Sequence, residues 1–153
     1  MNEPYIIQDE PELKIAVVVG AYDGKGAVSD AFVKGYDIVV AVEPVYRNFL
    51  ELVKTIVGSY RTSTVIPIHG AIGIEDGYCA IDISNTWDDG QMKMTRRGVQ
   101  VVSLDTLTSI MLLNKIALLH IDTNGSGADV LNGGMKTIRK HKPHIEISRR
   151  DLS

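Results

Sequence analysis

The chain has 153 residues, a net charge of −3, and 44% hydrophobic and 23% charged residues. These values fit one globular α/β-sized domain with a substantial core, and no whole-molecule positive field that would draw it to nucleic acid or a membrane surface. A single cysteine, Cys79, excludes an internal disulfide framework and a cysteine-rich metal site.

The opening "MNEPYIIQDEPELK" is acidic and lacks the apolar core of a secretion signal, so residues 1–13 read as a lead-in arm. No apolar run approaches the roughly 20 residues needed to span a bilayer. A cytoplasmic protein without membrane contact is therefore expected. "KIAVVVG" (14–20) is a short valine-rich run ending at glycine, which reads as a strand buried on both faces. "AVSDAFVKG" (27–35) is helix-compatible, and "DIVVAVEP" (37–44) is a second buried strand. In "VYRNFLELVKTIVG", Tyr46, Phe49, Leu50, Val53 and Val57 fall on one helical face, and Gly58 stops the helix. "STVIPIHG" (63–70) is a third strand.

Residues 71–98 change character. "YCAIDIS" (78–84) alternates like a strand, and "NTWDDGQMKMTRRG" (85–98) reads as an exposed hairpin or excursion. "VQVVSL" (99–104) returns to a strand, and "DTLTSIMLLNK" (105–115) is a helix with Asp105 as its cap. "IALLHID" (116–122) is another buried strand. "ADVLNGGMKTIRK" (128–140) places Val130, Leu131, Gly134, Met135 and Ile138 on one face, and "KPHIEIS" (142–148) is a last strand. Such alternation predicts an α/β fold: a mostly parallel sheet with helices on both faces, in one domain over residues 1–153.

Ligands of open α/β sheets sit beyond the carboxyl ends of the strands. Those ends carry Gly20-Ala21-Tyr22-Asp23-Gly24, Glu43-Pro44, His69-Gly70, and His120 with Asp122 and Asn124. A loop of small residues lets backbone N–H groups approach a ligand, and an acid about 20 positions later can accept both hydroxyls of a ribose. Gly20 and Glu43 have that spacing. The glycines at 20, 24 and 26 fit neither the dinucleotide fingerprint nor the phosphate loop. A nucleoside ligand without a pyrophosphate fits better, with S-adenosylmethionine the obvious candidate. No HxH, HExxH or cysteine cluster marks a metal site.

The ordered set "GAYDG", "VEP", "SLDTL", "IDTNG", "VLNG" and "PHIE" resembles the FkbM-type family of S-adenosylmethionine-dependent methyltransferases from about residue 14 to 146. The resemblance implies a Rossmann-like methyltransferase fold and methyl transfer to a hydroxyl of a sugar, glycan or small metabolite. Gly20, Ala21 and Gly24 would line the methionine part of the cofactor, with Tyr22 and Asp23 in the same loop. Glu43, followed by Pro44, would hold the ribose, and Asp122 would sit beside the reactive centre. His69 and Gly70 are read as cofactor-side contacts. The chain departs from the family pattern at Val18, Asn124 and Gly127, where that pattern has acids. It also stops soon after the fifth core strand, so a fold shortened at the C-terminus, and a homodimer covering the sheet edge, are expected.

An alcohol acceptor must lose its proton to a side chain or water. Asp122 and His120 are the catalytic candidates; a capping carboxylate and a satisfied core histidine fit the same pattern. The basic tail (Arg139, Lys140, Lys142, Arg149, Arg150) and the spot Lys93, Arg96, Arg97 with Trp87 keep a nucleic-acid acceptor open. A non-catalytic binding or regulatory subunit of the same fold stands as the alternative.

Overall fold

The computed structural model describes residues 12–59, 64–82, 91–95 and 98–152. Its main sheet is built from β1 (Ile15–Val19), β2 (Ile38–Glu43), β3 (Val65–His69), β8 (Ile116–Ile121) and β9 (His144–Ile147). The spatial order is β3-β2-β1-β8-β9, and every adjacent pair is parallel. The valine-rich central strand follows from that position, since all of Ile15–Val19 is buried. Successive residues of β1 serve opposite faces. Ala16 and Val18 pack with Val28 and Ala31 of α1 (Ala27–Val33) and with Leu52 and Ile56 of α2 (Tyr46–Ser59). Val17 and Val19 pack on the other side with Leu104 and Leu107 of α3 (Leu104–Ile110) and Val130 of α4 (Gly127–Gly133). The expected mostly parallel sheet with helices on both faces is what the chain forms.

Several elements differ from the sequence pattern. The buried face of α2 is Asn48, Leu52 and Ile56, while Tyr46, Leu50 and Val57 are exposed. The helix expected over 105–115 ends at Ile110, because Leu112 turns into the left-handed region at φ 52°. The helix expected over 128–140 divides at Gly134 into α4 and α5 (Met135–His141). A side chain at Gly134 would run into Leu104, so the glycine there serves close packing on α3.

The middle of the chain forms a second sheet. β4 (Ala71–Gly73), β5 (Gly77–Asp82), β6 (Gln91–Thr95) and β7 (Val99–Ser103) lie in the order β4-β7-β5-β6. β5 and β6 pair antiparallel, and of the excursion expected over 85–98 the stretches 85–90 and 96–97 lie outside the described residues. Trp87, Arg96, Arg97 and the side chain of Lys93 lie outside the described residues. Among the described residues no helix is long and apolar enough to cross a membrane.

Asp105 caps a helix, but not its own. Ser103 is the N-cap of α3, accepting a bond from the Thr106 N–H. Asp105 sits in the first turn, two residues past the cap, and reaches across to the start of α5, where it accepts the N–H groups of Thr137 at 2.7 Å and Lys136 at 3.2 Å. Burial acts to raise this carboxyl, but the bonds from Thr137 and Lys136 outweigh it and hold it below the usual carboxylate range. Asp105→Ala is expected to cost about 1–2 kcal/mol, read as a lower urea midpoint with an unchanged slope.

Candidate functional site

The order of the main sheet reverses at β1: β2 and β3 build out on one side, β8 and β9 on the other. Such a switch point opens a crevice beyond the carboxyl ends of the two strands that flank it. Here those ends are Gly20, after β1, and Asp122, after β8. They are in tight contact. Gly20 has φ +82°, and a Cβ built on it would lie 1.9 Å from the Asp122 carbonyl oxygen. The Gly20 and Ala21 N–H groups both point at the Val42 carbonyl, each at 3.0 Å, and the Asp122 N–H donates to the Val19 carbonyl at 2.9 Å.

Glu43 ends β2 in the crevice wall and is 3% exposed. One carboxyl oxygen accepts the Tyr22 N–H at 2.8 Å, and the other accepts the Val45 N–H at 2.8 Å. Tyr22 has φ 58°, a conformation costing about 1–2 kcal/mol for an L-residue. The bond to Glu43 helps to offset that cost and fixes the loop. Burial pushes the Glu43 carboxyl up to about 7, against the opposing effects of Val45, Asn48 and His69.

The result is an open cleft of about 750 Å3. Gly20, Ala21, Tyr22 and Asp23 line it from β1, and Glu43 and Pro44 from β2. Gly70, His120 and Asp122 line it as well. Gly24 and His69 are not on its wall. Gly24 faces Leu52 of α2. The His69 ring packs against Tyr46 and Phe49, with centroids 5.4 and 5.1 Å away, and its Nε2 lies 3.1 Å from the Pro44 carbonyl. It therefore braces the Glu43–Pro44 turn from outside. Asp23, Asp30, Glu43 and Asp122 face the cleft with Arg150 as the cation among them, so the lining favours a positively charged ligand.

The Methyltransferase FkbM domain family matches residues 19–152. The chain belongs to this family. A crystal structure of methyltransferase FkbM from Methylobacillus flagellatus superposes on it with a TM-score of 0.64 at 18% identity, over 95% of this chain and 35% of that one. The chain thus spans about a third of the length of that FkbM protein. Comparison with curated proteins gives no match.

The departures from the FkbM pattern have physical counterparts. Val18 is fully buried in the core under α1 and α2, where an acid would lack solvent. At Gly127 the space of a side chain is already filled: a Cβ there would lie 2.5 Å from Cβ of Asp151 and 3.1 Å from its carboxyl carbon. Asp151 accepts the N–H groups of Thr123 at 2.8 Å, Gly125 at 2.8 Å and Gly127 at 3.1 Å. The Thr123 and Ser148 hydroxyls donate to it as well, at 2.6 and 2.7 Å. Asp151 thus organises the whole loop after β8 from the far end of the chain. Sequence reading missed it. The signal available was the Ser148-x-x-Asp151 spacing, a local capping pattern hidden in a basic tail. Asn124 sits in the same loop at φ 57°, and its Oδ1 is buried without a hydrogen-bond partner among the described residues.

The charged candidates are paired. Arg150 Nη2 lies 3.4 Å from Asp122 Oδ1. His120 Nδ1 lies 3.1 Å from Glu146 Oε2, and Lys34 reaches Glu146 Oε1 at 3.2 Å. The His120 contact, aided by Lys34, holds the Glu146 carboxyl below its usual range against the effect of burial.

Burial acts to raise the Asp151 carboxyl, but the bonds from Thr123, Ser148 and Gly125 win and set it at about 2. Asp151→Ala is expected to cost about 2–4 kcal/mol at neutral pH. A carboxyl depressed on folding stabilises above its unfolded pKa and loses that contribution as pH falls through the folded value. In paired denaturant titrations, the gap between wild type and variant should therefore close from about pH 4 toward about pH 2.

Proposed function

We propose that this FkbM-family chain binds S-adenosylmethionine in the switch-point cleft and methylates a hydroxyl oxygen of a sugar, glycan or other small metabolite. The observation that carries the reading is Glu43: a buried carboxyl at the tip of β2, facing the Gly20 loop across the cleft. Its two oxygens accept the Tyr22 and Val45 N–H groups, with the Asn48 side chain as a third donor, and the four lone-pair sites of a carboxylate leave one for a ligand hydroxyl.

The residues present suit the cofactor. A nucleoside with an amino-acid tail brings hydroxyl and ammonium donors, and the cleft offers acceptors: Glu43, Asp122 and the buried Asn124 Oδ1. The acidic lining suits a cationic sulfonium. Glu43 would hold the ribose hydroxyls, with Pro44 and Gly70 beside the nucleoside. Gly20, Ala21, Tyr22 and Asp23 would face the methionine part, and Asp122 would flank the reacting centre. When bound, the cofactor supplies an activated methyl group whose carbon–sulfur bond breaks with both electrons kept by sulfur. The chain's contribution is alignment, which accounts for much of the rate of such displacements.

Calorimetric titration with S-adenosylmethionine and S-adenosylhomocysteine tests this. Wild type should bind both, and Glu43→Ala, checked for fold by circular dichroism, should bind about 10–100-fold more weakly. Hydroxyl donors favour the ionised carboxyl, so lowering the pH through the Glu43 value of about 7 should weaken wild-type binding. The loss between about pH 8 and about pH 6 should be on the order of tenfold, and the variant should lack it. A folded wild type that binds neither ligand rejects the reading.

A further inference from the structure

Of the two candidates for taking the acceptor's proton, Asp122 and His120, the geometry favours the histidine. His120 lies on β8 two positions beyond Leu118, so it emerges on the α1 side of the sheet at the strand's carboxyl end. It lines the cleft with only about a quarter of its side chain exposed. β9 runs beside β8 in a register that sets Glu146 directly opposite His120. Their side chains meet at 3.1 Å through Nδ1 and Oε2.

This contact decides the ring's tautomer. An ionised carboxylate only accepts hydrogen bonds, so Nδ1 must carry the hydrogen. In a neutral imidazole the lone pair is then on Nε2. Nε2 has no hydrogen-bond partner among the described residues. Glu146 is itself held at Oε1 by Lys34, the C-cap of α1, at 3.2 Å, and His144 Nε2 lies 3.7 Å from the same oxygen. Asp30 and Asp122 are the remaining titratable groups on this part of the cleft wall. Asp122 already faces the Arg150 guanidinium.

We propose that His120 Nε2 accepts the proton of the hydroxyl being methylated, and that Glu146 is the positioning residue that orients the ring for it. The inference rests on the methyl-transfer reading above. As the acceptor oxygen takes up the methyl group, its O–H bond breaks with the electron pair left on oxygen. The proton forms a bond to Nε2, and the imidazolium produced faces the Glu146 carboxylate. Lys34 keeps that carboxylate in register through Oε1, the oxygen other than the one that meets the ring.

The tautomer is read by nitrogen-15 NMR of the histidine rings in the ligand-free chain at about pH 8, above the ordinary histidine range. In the neutral ring the hydrogen of His120 should be on Nδ1, and Glu146→Ala should lose that preference. A hydrogen on Nε2 in the wild type, or an imidazolium at this pH, overturns the proposal whether or not any cofactor binds. With a hydroxyl acceptor that wild type methylates, His120→Gln should lower kcat by about 10²–10⁴-fold. Its calorimetric affinity for S-adenosylhomocysteine should stay at the wild-type value. An unchanged kcat overturns the assignment of the base, whereas absent S-adenosylhomocysteine binding by wild type counts against the parent reading alone.

Discussion

Gly20 has no room for a side chain. The backbone after β1 lies directly against the carbonyl of Asp122 after β8, in the space where a Cβ would stand. That contact holds together the two strand ends at which the sheet order reverses. Everything in the cleft is placed relative to it: Glu43 across from Tyr22, Asp122 beside the glycine loop, and His120 two residues below. A methyl group added at Gly20 would have to separate β1 from β8 or bend the loop away from Val42. Either movement would disturb the hydrogen bonds from Gly20, Ala21 and Asp122 that fasten the loops to the sheet.

Carboxylates do much of the fastening. Glu43 and Asp151 each accept backbone N–H groups from a loop that borders the cleft, yet their protons are held very differently. Asp151 collects three backbone N–H groups and two hydroxyls, which outweigh its burial and set it at about 2. Glu43 has fewer donors and a deeper site, so burial wins and sets it at about 7. One is a permanent anion that fixes a loop. The other is a group whose charge is poorly compensated by the protein itself, and that is the electrostatic character expected of a site made for a ligand.

The parallel sheet was readable because burial on both faces leaves continuous apolar runs such as "IAVVV" and "IALLHI". The cleft-facing ends of those runs were readable for the same reason: the strand stops where glycine, proline or a charge begins. Helix faces were harder. On α2 the choice between two apolar stripes depended on which one met β1 and β2, and the stripe through Leu52 and Ile56 does. Asp105 looked like the cap of its own helix because chain-local patterns cannot show that the start of α5 lies next to it. β4 is three residues long, too short for periodicity to register. The His120–Glu146 pair depended on the register of β8 with β9, which no single segment encodes.

Three departures from the FkbM pattern pointed toward a weakened site when read along the chain. In space they separate. Val18 belongs to the core and has no access to the cleft through a side chain that is fully buried. Gly127 leaves room for Asp151, a carboxylate that arrives from 24 residues away and bonds the Gly127 N–H itself. Asn124 is different in kind. It lines the cleft in a left-handed conformation, and its Oδ1 is buried with no donor to satisfy it among the described residues. An acceptor left in that state costs about 1–3 kcal/mol. An acid at this position would place an uncompensated charge beside Asp122, whereas the neutral amide oxygen keeps an acceptor there at lower electrostatic cost. The loop therefore gives up stability at one atom of the cleft wall, where a ligand N–H or O–H is the partner that would restore it.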